Sequence, residues 1–288
     1  MITNKLADFI WVNGKFVPWN ESIVHILTHS LHYSAAVFEG IRAYQGKIFK
    51  LKEHTERLLR SAEYMGLEVH YTAGQINDAT ENLMAKNMLS DAYIRPLIWR
   101  GAESMNIYTP KLGNNIMIAA VPSRNEFTTN LKLNIGKWRK PSPQAMPPQA
   151  KSSTHYGMQV VCQRDALQQR YDDSLILDDE GFVAECTVAN LFFGKGNKLI
   201  TPIADRFLNG ITRQTVIAMA EKIGFEVQES RISLEDLANY DYCFLTGTAR
   251  EIGGIASISL NSAKELSFPD PEKKVELLQS EFAKLVGK

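Results

Sequence analysis

The sequence predicts an α+β protein in two domains, a small α/β N-terminal domain and a larger C-terminal one. Three observations carry this. At 288 residues the chain reaches the size at which single hydrophobic cores stop growing. Short apolar runs of strand length are interspersed with segments whose apolar residues recur every three or four positions, in both halves. A polar, turn-rich stretch, "PSRNEFTTN" (residues 122–130), separates those halves and is expected as an exposed connection between domains at 1–121 and 131–288.

In the first half, "DFIWVNGKFVPW" reads as a hairpin with Asn13-Gly14 as its tight turn. "KIFKLKEH" reads as a further short strand. "KEHTERLLRSAEYMG" reads as a helix, with Leu58, Ala62 and Met65 at helical spacing and Gly66 as its stop. "AGQINDATENLMAKNML" is a second helix, and "AYIRPLIWRGAE" and "NNIMIAAVPS" are strand-rich. In the second half, the strand "LKLNIGKW" is followed by a loop with four prolines, "RKPSPQAMPPQA", and by a helix over "THYGMQVVCQRDALQQR". A meander follows: "SLILD", the turn "DDEG", "FVAE", "NLFF", the turn "GKGN" and "KLIT". "GITRQTVIAMAEKIG" is a helix ending at Gly224. "SLEDLANY" is a short helix with a Ser233…Asp236 capping box, and "DYCFLTGT" is a buried strand.

Composition narrows the function. Hydrophobic residues make up 44% of the chain, ordinary for a folded globular protein. Formal net charge is zero and no block of Lys and Arg stands out, so neither nucleic acid nor an anionic membrane surface is an expected partner. No apolar run approaches the length that spans a bilayer. The opening "MITNKLADFIWVNGKF" has Lys5, Asp8 and Asn13 in and around its short apolar patch, unlike a signal peptide. Cys162, Cys186 and Cys243 form neither a CxxC pair nor a disulfide framework, which leads to the expectation of reduced thiols and a cytoplasmic location.

No P-loop, GxGxxG or HExxH pattern is present. His25, His29 and His32 are a possible metal cluster, outweighed by ordinary packing and hydrogen bonding. Other residues point to a different chemistry. Lys151 places an amine between a proline-rich loop and a helix start. Glu185 ends the apolar strand "GFVAE", where a buried acid needs a partner and an edge acid would face water. Arg57 lies on a helix with an apolar face, and Arg60 serves equally on sequence alone. Ile211-Thr212 opens a helix, where backbone N–H groups and the dipole favour a phosphate and where a plain threonine N-cap is the simpler account. Thr248-Ala249 turns the chain after a buried strand. An amine, an acid, an arginine, a helix N-terminus and a threonine turn are together what pyridoxal 5′-phosphate requires: a Schiff-base partner, a partner for the pyridine nitrogen, and phosphate donors.

The order of motifs then resembles a known family. "HSLHYSAAVFEGIRAY", "HTERLLRSA", "AYIRPLIW", "KSSTHY", "DDEGFVAECTVANLFF", "NGITRQTVI" and "LTGTAREI" are similar, across nearly the whole chain, to the branched-chain amino acid aminotransferases, which are fold-type IV pyridoxal-phosphate enzymes. The resemblance implies a C-terminal domain with a mixed β-barrel-like core and flanking helices. It implies Lys151 as the Schiff-base lysine, Tyr156 as the cofactor's phenolic partner and Glu185 as the pyridine-nitrogen acid. It further implies Arg57, Ile211, Thr212 and Thr248 as phosphate ligands, and Thr248 and Ala249 as the turn that receives the substrate carboxylate. Tyr33, Phe38, Gly40, Tyr93 and Arg95 match the side-chain pocket. Here alternation adds its own support, since Tyr93, Arg95, Leu97 and Trp99 share one face of a strand.

The implied activity is a ping-pong exchange of the amino group between leucine, isoleucine or valine and 2-oxoglutarate, in a homodimer or higher oligomer. The chain departs from the family pattern at Thr154-His155, at Cys186 and at Ala189, the last two closer to the lyase branch. The alternative is therefore another fold-type IV enzyme: a D-amino acid or (R)-amine transaminase, or one like the aminodeoxychorismate lyases.

Overall fold

A computed structural model describes residues 6–109, 112–123, 129–261 and 263–288. Packing divides the chain into two units, residues 1–125 with 150–156, and residues 126–149 with 157–288. Of the expected connection at 122–130, residues 124–128 lie outside the described residues.

The first unit begins with β1 (Phe9–Val12) and β2 (Lys15–Pro18). Asn13 and Gly14 both take positive φ, 46° and 87°, as a two-residue hairpin turn demands. α1 (His29–Tyr33), β3 (Ala36–Phe38), β4 (Ile41–Tyr44) and β5 (Lys47–Ile48) follow. The strand expected through "KIFKLKEH" stops at Ile48. Lys50 turns the chain with φ 52°, and α2 (Leu51–Tyr64) starts at once, because Leu51 extends the apolar spacing of Leu58 and Ala62 and packs with them. α3 (Ala73–Lys86) opens with a capping box between Thr72 and Gln75. β6 (Ala92–Arg100) and β7 (Asn114–Pro122) complete a seven-stranded sheet in the order β2-β1-β7-β6-β4-β5, with β3 also paired to β6.

The two helices and one face of this sheet share a core of Leu58, Ala62, Ile76, Leu83, Ile94, Ile98, Ile116 and Ile118. Each fully buried Leu or Ile contributes about 1.5–3 kcal/mol. Ile94 and Ile98 are buried there while Tyr93, Arg95 and Leu97 stand on the opposite face, following the period of two.

The second unit holds β8 (Leu131–Ile135), α4 (Ser153–Gln168, whose first turn groups with the first unit), β9 (Asp173–Leu177), β10 (Val183–Cys186), β11 (Asn190–Lys195) and β12 (Lys198–Pro202). These are followed by α5 (Ile211–Lys222), β13 (Glu226–Ser230), β14 (Tyr242–Gly247), β15 (Glu251–Asn261), β16 (Lys264–Ser267) and α6 (Lys274–Val286). The strand order runs β10-β9-β8-β15-β14-β11, and β10 also pairs with β11, so six strands close on themselves. β8 is parallel to both of its neighbours, and the other pairs in the ring are antiparallel. The barrel is therefore mixed, as the fold-type IV resemblance implies. One buried apolar cluster takes Leu133, Leu175, Val183, Leu191, Leu245 and Ile258 from the six strands.

Gly194 of β11 lies opposite Tyr242 of β14, whose ring is fully buried and whose hydroxyl donates to Gly196 O at 3.0 Å. A Cβ at Gly194 would stand 2.0 Å from Tyr242 Cζ. Gly194→Ala is expected to destabilise the protein by roughly 1–3 kcal/mol or more through overpacking. Urea denaturation measures this, and an unchanged midpoint would contradict the packing described.

Candidate active site

Lys151 is held by its backbone before its side chain is considered. Its N–H donates to Ser61 Oγ on α2 at 3.0 Å, and its carbonyl accepts from Phe38 N–H at the end of β3 at 3.1 Å. The next residue, Ser152, forms a β-bridge with Val37. Tyr156 lies in the first turn of α4, and Lys151 Nζ donates to its hydroxyl at 2.5 Å. The Phe38 ring meets the Tyr156 ring at 4.7 Å between centroids, and Lys151 Nζ is 5.0 Å from the Phe38 centroid.

α2 buries His54, Arg57, Leu58 and Ser61 along one face, so Arg57 points inward while Arg60, three residues on, is exposed. Glu39, fully buried, grips Arg57 with both oxygens, from Nε at 2.6 Å and Nη2 at 2.9 Å. His54 Nδ1 bonds Glu39 Oε2 at 2.7 Å. Burial alone would push the Glu39 carboxyl up, but the Arg57 guanidinium and His54 outweigh it and hold it well below the usual carboxylate range. Burial lowers the His54 value, against the opposing pull of Glu39.

On the outer face of β6, Arg95 Nη2 donates to Tyr93 Oη at 2.7 Å, and the guanidinium carbon lies 4.8 Å from the Phe38 centroid. A Cβ at Gly40 would come within 2.4 Å of Tyr93 Oη, so the absence of a side chain at Gly40 is what lets this ring lie there. The structure thus gathers Phe38, Gly40, Tyr93 and Arg95 around Lys151 and Tyr156. Tyr33 has other neighbours: it is exposed, donates to Met105 O at 3.0 Å and packs on the His29 ring. The three histidines serve separate ends. His29 Nε2 meets Ile107 O, His32 Nε2 meets Ile26 O, and His25 Nδ1 accepts from Leu27 N–H. Among the described residues, no three His, Cys, Asp or Glu side chains converge as metal ligands do.

In the second unit, Glu185 sits on β10 just after a shift of register between Val183 and Glu185. Such a bulge re-aims a side chain. The carboxylate is buried, not an edge acid facing water. Lys140 Nζ pairs with its Oε1 at 2.7 Å, Gln159 Nε2 donates to the same oxygen, and Asn190 Nδ2 donates to Oε2, both at 3.3 Å. α5 begins after Gly210, which has no side chain to cap it, so among the described residues the first N–H groups, those of Ile211 and Thr212, meet no side-chain acceptor. Thr212 is the second helical residue rather than the cap. Thr248 and Ala249 form the turn between β14 and β15.

Comparison with known proteins decides the family. The amino-transferase class IV family matches residues 36–258. The chain belongs to the class IV aminotransferases. Among relatives, it is 52% identical to a probable branched-chain-amino-acid aminotransferase of Rickettsia bellii over 96% of each chain. It is 34% identical to the branched-chain-amino-acid aminotransferase of Escherichia coli K12, over 89% of this chain and 87% of the relative. Among solved structures, the branched-chain amino acid aminotransferase from Thermobaculum terrenum, in its PLP-form (holo-form), superposes with a TM-score of 0.88 at 31% identity, covering 98% of this chain and 95% of that one.

Several residues of this aminotransferase's candidate site escaped the sequence reading. Lys140 is one of three basic residues in "GKWRK", and only its burial singles it out. Ser61 is one small residue on an apolar helix face. Glu39 carried a usable signal, since an acid inside "AVFEGI" is apolar on both sides, the same argument that marked Glu185.

The Glu39 carboxylate makes a stability prediction. A folded-state value below the ordinary 4.5 means that the unfolded chain binds the proton more tightly. The stabilisation is complete above about pH 4.5 and fades as pH falls below it. Glu39→Gln is expected to cost about 3–5 kcal/mol at pH 7, because a buried guanidinium loses its counter-charge. The gap to the parent protein should narrow between pH 4.5 and pH 3 in urea titrations. A gap that stays constant or widens over that range would refute the assignment.

Proposed function

We propose that this aminotransferase exchanges the amino group between branched-chain L-amino acids and 2-oxoglutarate, in ping-pong fashion, with pyridoxal 5′-phosphate as cofactor. The observation that carries the reading is the Lys151–Tyr156 contact at 2.5 Å on a backbone pinned by Ser61 and Phe38. The residues present fit that cofactor. An amine touches a phenol, an acid is buried among donors, α5 opens uncapped, and the buried hydroxyls of Ser152 and Thr246 have no hydrogen-bond partner among the described residues.

When bound, the cofactor supplies an aldehyde that condenses with amines and a ring that withdraws electron density from the substrate's α-carbon. Lys151 Nζ would be the amine that holds the cofactor and the base that takes up the substrate's α-proton. Tyr156 Oη keeps Nζ from swinging away. Glu185, with its orientation fixed by Lys140 and Asn190, is the partner of the pyridine nitrogen. Arg57, the Ile211 and Thr212 amides and Thr248 hold the phosphate. The Thr248-Ala249 turn receives the substrate carboxylate. Phe38 and Tyr93, the latter given room by Gly40, offer aliphatic side chains an aromatic wall, and Arg95, exposed at its edge, answers the distal carboxylate of glutamate.

We further propose a homodimer in the cytoplasm. The segment carrying Ile23, Val24, Ile26, Leu27 and Leu31 exposes an apolar surface, tied by the His29–Ile107 and Tyr33–Met105 bonds to a loop that exposes Met105, Ile107 and Tyr108. A contiguous patch of this kind marks an association surface. The three cysteines are buried and unpaired, which suits a reducing compartment.

Lys151→Ala is expected to lower turnover of L-leucine with 2-oxoglutarate by at least about a thousandfold. Borohydride reduction followed by peptide mapping should place the cofactor label on the peptide containing Lys151. A label elsewhere, or turnover of D-alanine in preference to L-leucine, would overturn the reading. Replacing both Ile26 and Ile107 with Asp should halve the mass seen by light scattering, and an unchanged mass would remove this patch from the interface.

A further inference from the structure

Asn190 stands where three parts of the barrel unit meet. It lies opposite Glu185 of β10 and opposite Thr246 of β14, and is itself almost fully buried. Its Nδ2 donates to Glu185 Oε2 at 3.3 Å and to Leu208 O at 3.0 Å. Its Oδ1 accepts from Gly210 N–H at 3.1 Å. The orientation of the amide is unambiguous, because two of its partners only accept and the third only donates.

Gly210 is the residue from which α5 springs, and its backbone, φ −62° and ψ 138°, is open to any amino acid. Its glycine is therefore required by space rather than by conformation. A Cβ there would stand 2.2 Å from Asn190 Oδ1. The other Glu185 oxygen is held by Lys140 and Gln159.

We propose that Asn190 is a positioning residue that ties the acid Glu185 to the start of α5, so that one side-chain amide sets both the grip on the cofactor's ring nitrogen and the grip on its phosphate. The inference rests on the reading of the cofactor given above. Its consequence is that disturbing the helix start loosens the hold on the ring nitrogen, and disturbing the amide loosens the hold on both ends. Lys140 serves one end only.

The test uses the full chain stripped of cofactor and measures equilibrium binding of three aldehydes: pyridoxal 5′-phosphate, pyridoxal, and the phosphorylated 1-deaza analogue whose ring nitrogen is replaced by CH. The affinity ratio of the first to the second reports the phosphate grip, and that of the first to the third reports the nitrogen grip. Asn190→Ala and Gly210→Ala are each expected to lower both ratios by about tenfold, the effect of losing a hydrogen bond to a charged group. Lys140→Met is expected to lower the nitrogen ratio by a similar factor and leave the phosphate ratio within about twofold. A Gly210→Ala protein with a weakened phosphate ratio and an intact nitrogen ratio would overturn the coupling. So would an Asn190→Ala protein in which either ratio is unchanged. Should Asn190→Ala fail to fold, Gly210→Ala decides alone. The underlying reading fails separately, when Thr212→Pro leaves the phosphate ratio unchanged and Glu185→Gln leaves the nitrogen ratio unchanged.

Discussion

A carboxylate removed from water must be compensated within the protein, and two such groups organise this chain. Desolvating an ion costs several kcal/mol, and breaking a buried pair leaves the surviving charge exposed to the full penalty. Glu39 meets this in the first unit with both forks of Arg57 and with His54. Glu185 meets it in the second with Lys140, Gln159 and Asn190. In each case the acid fixes a second functional element. Glu39 sets the plane of the Arg57 guanidinium, and the partners of Glu185 reach the foot of α5. Groups held in place before any ligand arrives lose little freedom on binding it.

The same logic governs Lys151. A lysine side chain is long and rotamer-rich, so its amine is only as well placed as its backbone. Here the backbone is bonded on one side to α2 and on the other to β3. Because Arg57 and Ser61 are four residues apart on α2, a single helix face carries both the guanidinium and the hydroxyl that anchors the lysine. The Tyr156 hydroxyl then fixes the far end of the side chain.

How much of this was legible depends on whether the determining contact is local. The first hairpin, the two helices that follow it and the alternation along β6 are written in turn chemistry and periodicity, and all stand close to where those patterns put them. The helix start at Leu51 was hidden because "KIFKL" has strand chemistry and only the turn at Lys50 ends it. β15, the strand next to β14 in the barrel, was not read beyond its family resemblance. Its Gly253-Gly254 pair looks like a breaker, yet a Cβ at Gly253 would press on Leu245 and Leu131, so the glycine serves packing. Among the candidate residues, local sequence separated neither Arg57 from Arg60 nor Lys140 from its basic neighbours, since burial comes from tertiary packing. The bulge before Glu185 leaves no mark in composition. Asn190 lies within the motif "DDEGFVAECTVANLFF", but two of its three partners, Leu208 and Gly210, come from a separate segment further along the chain.

Ring closure also has a bearing on solubility. Strands hydrogen-bonded on both sides offer no template to a neighbouring molecule, and the six barrel strands are all of this kind. The outermost strands, where backbone groups remain available, are short and carry charge: Lys15 with Pro18 on β2, Lys47 on β5, Glu226 and Glu229 on β13, and Lys264 with Glu265 on β16. A foreign strand approaching any of these margins would have to strip water from an ionised group, so the architecture that shapes the barrel also discourages amyloid-like stacking.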